Sequence, residues 1–278
     1  MKYVAFLDIL GFKEKLKTIS QQEAKRFIGS FSSTVYGIFQ RFSDSVKGYI
    51  VSDSIILYTD DVAVHSLSSL VSLVDRICKD EFSHNGILIR GAIAKGEFDH
   101  VPAVELPKLQ KQLIVGQAYV DAYNLESKVK TIGISLSHDV FQDIQNCNYN
   151  ENIIEEKIKE DNHYFLRFIT IDFLLDAYNM RKFVELAQKS NWLPHYYNTL
   201  CIALRHVKND KKIEQVFRNL INTVCDNKPS ENWRNIDVFI KNTFKDDVID
   251  DYQKRFLKFI RQNIVLQDAS LSHYDMNS

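Results

Sequence analysis

The chain is short of cysteine: it has four, Cys78, Cys147, Cys201 and Cys225, with no CxxC spacing among them. That excludes a disulfide-framework scaffold and predicts reduced, mostly buried thiols in a cytoplasmic protein. The apolar settings Arg76-Ile77-Cys78 and Thr223-Val224-Cys225 agree with this. An excess of charge of one sign is also missing, since 35 Lys and Arg face 36 Asp and Glu, a net charge of −1. No overall positive field therefore draws the chain to nucleic acid or to an anionic membrane. Basic stretches such as Lys208-Asn209-Asp210-Lys211-Lys212 are short, mixed with acid, and read as solvated helix ends. No apolar run approaches the length of a membrane span, and Met1-Lys2-Tyr3 leads into a strand rather than a signal peptide. The eight histidines never fall at a metal-ligand spacing. There is no internal repeat.

Against this ordinary background two aspartates stand out. Asp8 ends the apolar run Tyr3-Val4-Ala5-Phe6-Leu7 and precedes Ile9-Leu10-Gly11-Phe12. Asp53 interrupts Tyr49-Ile50-Val51-Ser52-Asp53-Ser54-Ile55-Ile56-Leu57-Tyr58. A buried carboxylate costs several kcal/mol unless it is paired or metal-bound. Two of them brought together by neighbouring strands repel unless a divalent cation lies between them. The alternative is that each caps a strand end in solvent.

The length permits one large domain or two, with a substantial core. Residues 3–8 read as a strand buried on both faces, followed by a turn at Gly11. Ser20-Gln21-Gln22-Glu23 is a capping box opening a helix, whose apolar positions Ala24, Phe27, Ile28, Phe31, Val35, Ile38 and Phe42 keep helical spacing. Residues 47–59 read as two strands joined by a tight turn at Ser52-Asp53-Ser54. A second helix carries Leu67, Leu70, Val71, Val74, Ile77 and Cys78, and a strand spans 86–97. A loop containing Pro102 and Pro107 leads to a helix over 116–129, then strands over 131–137 and 163–172. The order β-α-β-β-α-β, then α-β and a late strand, is the ferredoxin-like plan with additions, an α+β fold. It sets the end of the first strand beside the first hairpin, which can bring Asp8 next to Asp53. From about residue 178 helical periodicity takes over, so residues 1–178 read as one domain and 179–278 as a helical C-terminal domain. There the aromatics Phe217, Trp233, Phe239, Phe244 and Phe256 read as core, and the tail after Gln267 as frayed.

Four segments in register carry a resemblance. They are Phe6-Leu7-Asp8-Ile9-Leu10-Gly11-Phe12, Val51-Ser52-Asp53-Ser54, Arg90-Gly91-Ala92-Ile93-Ala94-Lys95-Gly96-Glu97, and Gly116-Gln117-Ala118-Tyr119-Val120-Asp121-Ala122-Tyr123-Asn124-Leu125-Glu126-Ser127. Together they resemble class III nucleotidyl cyclases over roughly residues 3–140. The resemblance implies a ferredoxin-like cyclase sheet with helices on one face. It also implies that Asp8, Asp53 and the Ile9 carbonyl hold two divalent cations, Mg2+ or Mn2+. Residues Ile9, Leu10, Gly11 and Phe12 would offer backbone N–H groups to the substrate phosphates. Oxygen ligands from carboxylates and phosphates are what magnesium prefers.

The departures from the family pattern are equally specific. Where purine cyclases carry a base-reading lysine, this chain has Tyr49, and the partner aspartate is Leu113. The helix Asn and Arg that steady the transition state align with Val120 and Asn124, and the basic phosphate contact with Glu97. A pocket that has lost a cation and an anion recognises a base differently. The pattern is similar to the pyrimidine cyclases of Pycsar anti-phage systems, which make cyclic UMP or cyclic CMP. That implies a separately encoded effector acting through the product, and a sensor-like C-terminal domain.

Tyr49 and Asp53 lie four residues apart along a strand, about 13 Å, so one subunit does not easily bring both to a single nucleotide. Class III cyclases meet this at a dimer interface, so the resemblance implies a head-to-tail homodimer with sites at the interface. Tyr49 has an alternative as an ordinary packed strand aromatic. Arg90 reads as a phosphate contact or as a partner of Glu97 or Glu126. Lys95 reads as a replacement phosphate cation or as an exposed strand-end lysine, and Asn124 as a weak substrate contact. The rival functions are a catalytically silent nucleotide-sensing module, a purine cyclase, and a polymerase-like palm, the last opposed by the lack of a Gly-Gly-Asp/Glu hairpin.

Overall fold

The computed structural model describes residues 1–102, 112–128, 131–147, 153–158 and 161–190, with scattered positions between 195 and 219. The chain forms two compact units, Met1–Val129 with Gly133–Phe168, and Lys130–Ile132 with Ile169–Ser278.

The first unit is built on β1 (Lys2–Ile9), α1 (Phe12–Thr18), α2 (Gln21–Phe39), β2 (Val46–Val51), β3 (Ser54–Thr59), α3 (Val64–Asp80) and β4 (Ile89–Gly96). It continues through β5 (Asp99–Pro102), β6 (Gln112–Val115), α4 (Gln117–Glu126), β7 (Ile134–Leu136), α5 (His138–Asn146), β8 (Ile153–Ile158) and β9 (Asp161–Leu166). Seven strands form one sheet in the order β2-β3-β1-β4-β7-β9-β8, and β5 and β6 form a separate hairpin. The first four, β2-β3-β1-β4, pair antiparallel throughout, which is the ferredoxin-like arrangement; β4 and β7 pair in parallel.

β1 is central, and Tyr3 to Leu7 are all buried, as a continuous apolar run between two covered faces requires. Val4 and Phe6 point to the face where Ile56, Tyr58, Ala92, Ala94 and Phe98 meet Ala118 and Ala122 of α4. Tyr3 and its cross-strand neighbour Lys95 point to the other face, where both reach Asp143 of α5. That face also carries α2 and α3, whose buried residues Phe31, Val35, Leu67, Leu70, Val71 and Val74 lie at helical spacing. Three helices thus group on one face, and α4 with the β5–β6 hairpin covers part of the other.

The capping box forms as read: the Ser20 hydroxyl accepts from the Glu23 N–H, and Glu23 accepts from the Ser20 N–H at 2.8 Å. Gly116 has φ +150, and a Cβ there would collide with the Glu97 carbonyl and Phe98 Cα. Only glycine lets α4 start this close to Glu97 and Phe98, just beyond the end of β4.

Several elements differ from the sequence reading. α1 was absent from it, because only Phe12 of that helix is buried and a seven-residue helix with one core contact leaves no periodic signal. The Pro-containing loop holds the β5–β6 hairpin; residues 103–111 lie outside the described residues. β4 starts at Ile89 rather than 86, because α3 runs into a π-helical turn, Glu81–Asn85, closed by Gly86 at φ +63. The strand expected over 163–172 ends at Leu166, and Thr170 instead caps a helix through the Phe173 N–H.

In the second unit α6 (Ile171–Leu175) and α7 (Ala177–Ser190) bury Ile171, Leu174, Met180, Phe183 and Val184. The Thr199 hydroxyl accepts from the Ile132 N–H at 2.7 Å. Phe217, Trp233, Phe239, Phe244, Phe256, Cys201 and Cys225 lie outside the described residues. Among the described residues no helix is long and apolar enough to cross a membrane.

Candidate active site at the end of the central strand

Register alone builds the centre of the site. Asp8 sits on β1 opposite Ser54 of β3 on one side and Arg90 of β4 on the other, all on the α4 face. The Ser54 hydroxyl donates to Asp8 Oδ1 at 3.2 Å. Asp53 lies in the two-residue turn between β2 and β3, pinned to β1 because its carbonyl accepts the Ile9 N–H at 3.2 Å. In an antiparallel ladder the N–H and C=O of one residue face the same neighbour. The Ile9 carbonyl therefore faces the Asp53 turn. The preceding Ser52 has φ +57, the only positive φ outside glycine among the described residues, so the turn holding Asp53 carries backbone strain.

Burial pushes the Asp8 carboxyl pKa up, and the Asp53 charge pushes it further; Arg90 and the Ser54 hydroxyl pull it back. The Arg90 guanidinium forms an ion pair with Glu126, the last residue of α4. Glu126 is buried, and burial raises its pKa, against Arg90, with Asp8 adding to the rise. Three carboxylates share this neighbourhood with one guanidinium, so a divalent cation would balance it. No cluster of three His, Cys, Asp or Glu side chains able to hold a metal ion forms among the described residues. Asp8, Asp53 and the Ile9 carbonyl are hard oxygen donors, a set that suits magnesium or manganese completed by substrate phosphate and water.

The phosphate-binding stretch is narrower than the sequence reading had it. The Ile9 N–H is spent on Asp53, and the Leu10 N–H donates to the Leu88 carbonyl at 2.9 Å. Ladder bonds consume both amides, so Ile9 and Leu10 offer none to a ligand. Gly11, in the left-handed region at φ +76, turns the chain into α1, whose first N–H groups lie beyond the ladder.

Tyr49 shares the Asp8 face. Its hydroxyl lies 3.0 Å from that of Tyr58, and its ring is 4.9 Å from the His100 ring. Lys95 does not join the site. It lies on the opposite face, its Nζ 2.7 Å from Asp143 and over the Tyr3 ring, because residues 90 and 95 of one strand point to opposite faces. Lys95→Met is expected to cost about 1 kcal/mol of stability, measurable by urea unfolding, whereas an unchanged midpoint would mean that the pair with Asp143 contributes nothing. Asn124 is exposed on α4, and its carbonyl accepts from the Ser127 hydroxyl at 3.2 Å. Arg90 is paired with Glu126.

Sequence reading missed Ser54, Tyr58 and His100. The first two had a usable signal. A two-residue turn at Ser52-Asp53 sets Val51 opposite Ser54 and Tyr49 opposite Ile56, which leaves Tyr58 diagonal to Tyr49 on the same face. His100 had none, since it reaches Tyr49 only through the β5–β6 hairpin.

No family model matches the chain, and no curated protein matches it. Among solved structures it is similar to a guanylyl cyclase domain of a RhoGC fusion protein from the aquatic fungus Blastocladiella emersonii. That match has 18% identity and a TM-score of 0.48, and covers 59% of this chain and 94% of that one. It is similar to the guanylate cyclase domain of RhGC from Catenaria anguillulae in complex with GTP, at 17% identity, 60% and 95% coverage and a TM-score of 0.48. A third likeness is to the adenylyl cyclase CyaB from P. aeruginosa, at 17% identity, 60% and 93% coverage and a TM-score of 0.46. At this identity and overlap the likenesses say nothing about substrate.

Proposed function

We propose that the chain is a pyrimidine nucleotide cyclase, converting UTP or CTP to the 3′,5′-cyclic monophosphate and pyrophosphate. The observation that carries this reading is the juxtaposition of Asp8, on β1, with Asp53, in the turn of the neighbouring hairpin, whose charge adds to the cost of ionising Asp8. A site without a cation has no use for that repulsion. The four segments in register with class III cyclases, and Tyr49 where a purine cyclase carries lysine, support the reaction and the base class.

Two divalent cations, held by Asp8, Asp53 and the Ile9 carbonyl, would acidify the ribose 3′-hydroxyl and neutralise the triphosphate and departing pyrophosphate. The protein's own groups set the geometry. The Ser54 hydroxyl holds the Asp8 carboxylate, the Arg90 charge on β4 favours its ionised form, and Asp53 is carried on a strained two-residue turn tied to β1. The Gly11 and Phe12 amides donate to phosphate oxygens, so the 3′-oxygen can attack the α-phosphorus in line as the P–O bond to pyrophosphate breaks. Tyr49 meets the base. Tyr49 lies on β2 and Asp53 in the turn beyond its last residue, Val51, so the straight-strand spacing expected from the sequence does not hold; a head-to-tail homodimer, in which a second copy supplies the base pocket, rests on the resemblance to class III cyclases. Val120 and Tyr123, exposed on α4 beside Asn124, supply apolar surface for it. The cyclic product would act on a separately encoded effector in anti-phage defence, and residues 179–278 would form a helical sensing domain. The free thiols Cys78 and Cys147 suit a reducing, cytoplasmic setting.

Val120 and Asn124, in place of the transition-state Asn and Arg, favour a second reading as a nucleotide-sensing module without turnover. Incubating the full chain with all four nucleoside triphosphates and Mn2+, and resolving products by mass spectrometry, separates the possibilities. Cyclic UMP or cyclic CMP is expected. A purine cyclic nucleotide as main product would make it a purine cyclase, and nucleotide-dependent thermal stabilisation without any product would favour the sensor.

A further inference from the structure

Resting on the cyclase reading, we propose that Tyr49, Tyr58 and His100 form one hydrogen-bonding edge that selects uracil over cytosine. Tyr58 is 7% exposed, and its hydroxyl meets that of Tyr49 at 3.0 Å. Either hydroxyl can donate in this contact; Tyr58, the more buried residue, is taken as donor to the Tyr49 oxygen, because a buried hydroxyl proton without a partner is costly. With Tyr58 donating, the Tyr49 proton is left for a ligand. Tyr49 is thereby set as a donor, not by its own chemistry but by the tyrosine behind it.

His100 is the second point of the edge. Its ring lies 4.9 Å from the Tyr49 ring, tilted by 48°, and is partly exposed on β5. A neutral imidazole offers one bare nitrogen and one N–H, with the tautomer chosen by what faces it. Beside a fixed donor, the bare nitrogen completes a donor–acceptor pair. Uracil presents the complement in its C4 carbonyl and adjoining N3–H. Cytosine carries an amino group and a bare ring nitrogen at those two positions. To bind in the same pose it must reverse both protein groups, which strands either the Tyr49 or the Tyr58 proton. A site built to hydrogen-bond one edge rejects the other because its own polar groups go unpaired.

Steady-state kinetics of the full chain with Mn2+ and UTP or CTP test this. Wild type is expected to favour UTP by about tenfold or more in kcat/KM, the worth of one hydrogen bond reversed. His100→Ala should raise KM for UTP about tenfold with kcat moving far less, and His100→Asn, which keeps a donor and an acceptor, should recover part of that loss. Tyr58→Phe should bring the UTP-to-CTP ratio towards one, since it releases the Tyr49 oxygen to accept. A preference for CTP, or a ratio unmoved by both His100→Ala and Tyr58→Phe, overturns the proposal and leaves the cyclase reading standing. If no triphosphate is turned over, calorimetric titration with UTP and CTP in Ca2+ decides instead. Tighter UTP binding that His100→Ala abolishes upholds the base edge while the cyclase reading falls; equal binding overturns the base edge as well.

Discussion

Asp53→Ala is expected to lower cyclic-nucleotide formation by about a thousandfold or more, and to do so without lowering the melting temperature. On the proposed cyclase reading, the size follows from losing a metal ligand worth several kcal/mol at the transition state, at about 1.4 kcal/mol per factor of ten. The stability half of the prediction comes from the charge balance. Asp8 is held with its pKa above the ordinary carboxylate value, first by burial and then by Asp53. A carboxyl raised in this way favours the folded state only while protonated, and that contribution is lost as pH rises through its folded pKa. At neutral pH the ionised pair therefore opposes folding, and removing one member relieves it. Asp8→Asn should behave the same way, keeping the Ser54 hydrogen bond while shedding the charge. A second readout is independent of turnover: Mn2+ should raise the melting temperature of the wild type and not that of either variant. A variant that keeps turnover, or that melts several degrees lower with Mn2+ stabilisation intact, would remove Asp53 from the metal site.

Glu81→Gln is expected to stabilise the protein by about 2–3 kcal/mol at pH 8 and to change little near pH 4.5. Glu81 is fully buried in the π-helical turn after α3, and burial pushes its carboxyl up to about 7 against the help of Asn85. With the folded value above the unfolded one, Glu81 supports folding at low pH and loses that contribution between about pH 4.5 and 7. The amide is an isosteric neutral replacement that can still accept from Asn85 Nδ2, which lies 2.8 Å from Glu81 Oε2. Asn85 also donates to Thr34 and accepts from Ser30, so the turn ties α3 to α2. Urea unfolding of both proteins at pH 5 and pH 8 checks the prediction. An equal difference at the two values would mean that the effect is packing and not titration.

The helices α2, α3 and α4 were readable because each advertises itself locally. Ser20 and Glu23 announce a start, and apolar residues three and four apart announce a face. The β2–β3 hairpin was readable because only a short polar break, Ser52-Asp53, separates two apolar runs. α1, the π-helical turn and the β5–β6 hairpin were not, since each is held by contacts from distant segments rather than by its own pattern. The same division runs through the site. Asp8 and Asp53 could be singled out because a charge at the end of an apolar strand costs energy wherever the strand goes. Lys95 could not be excluded, since whether it faced the site depended on which side of the sheet Asp8 would occupy.

From its residues alone the chain declares an α+β sheet of ferredoxin-like order, two acidic residues at neighbouring strand ends and a tyrosine upstream on the hairpin. These are consequences of local hydrophobic period and of the cost of charge. Only the folded chain decided that Arg90 is paired with Glu126, that ladder bonds consume the Ile9 and Leu10 amides, and that His100 stands beside Tyr49. Those depend on strand register and on which face a side chain takes. Both are set by packing between segments some fifty residues apart, as between Tyr49 and His100, a distance over which local sequence carries no signal.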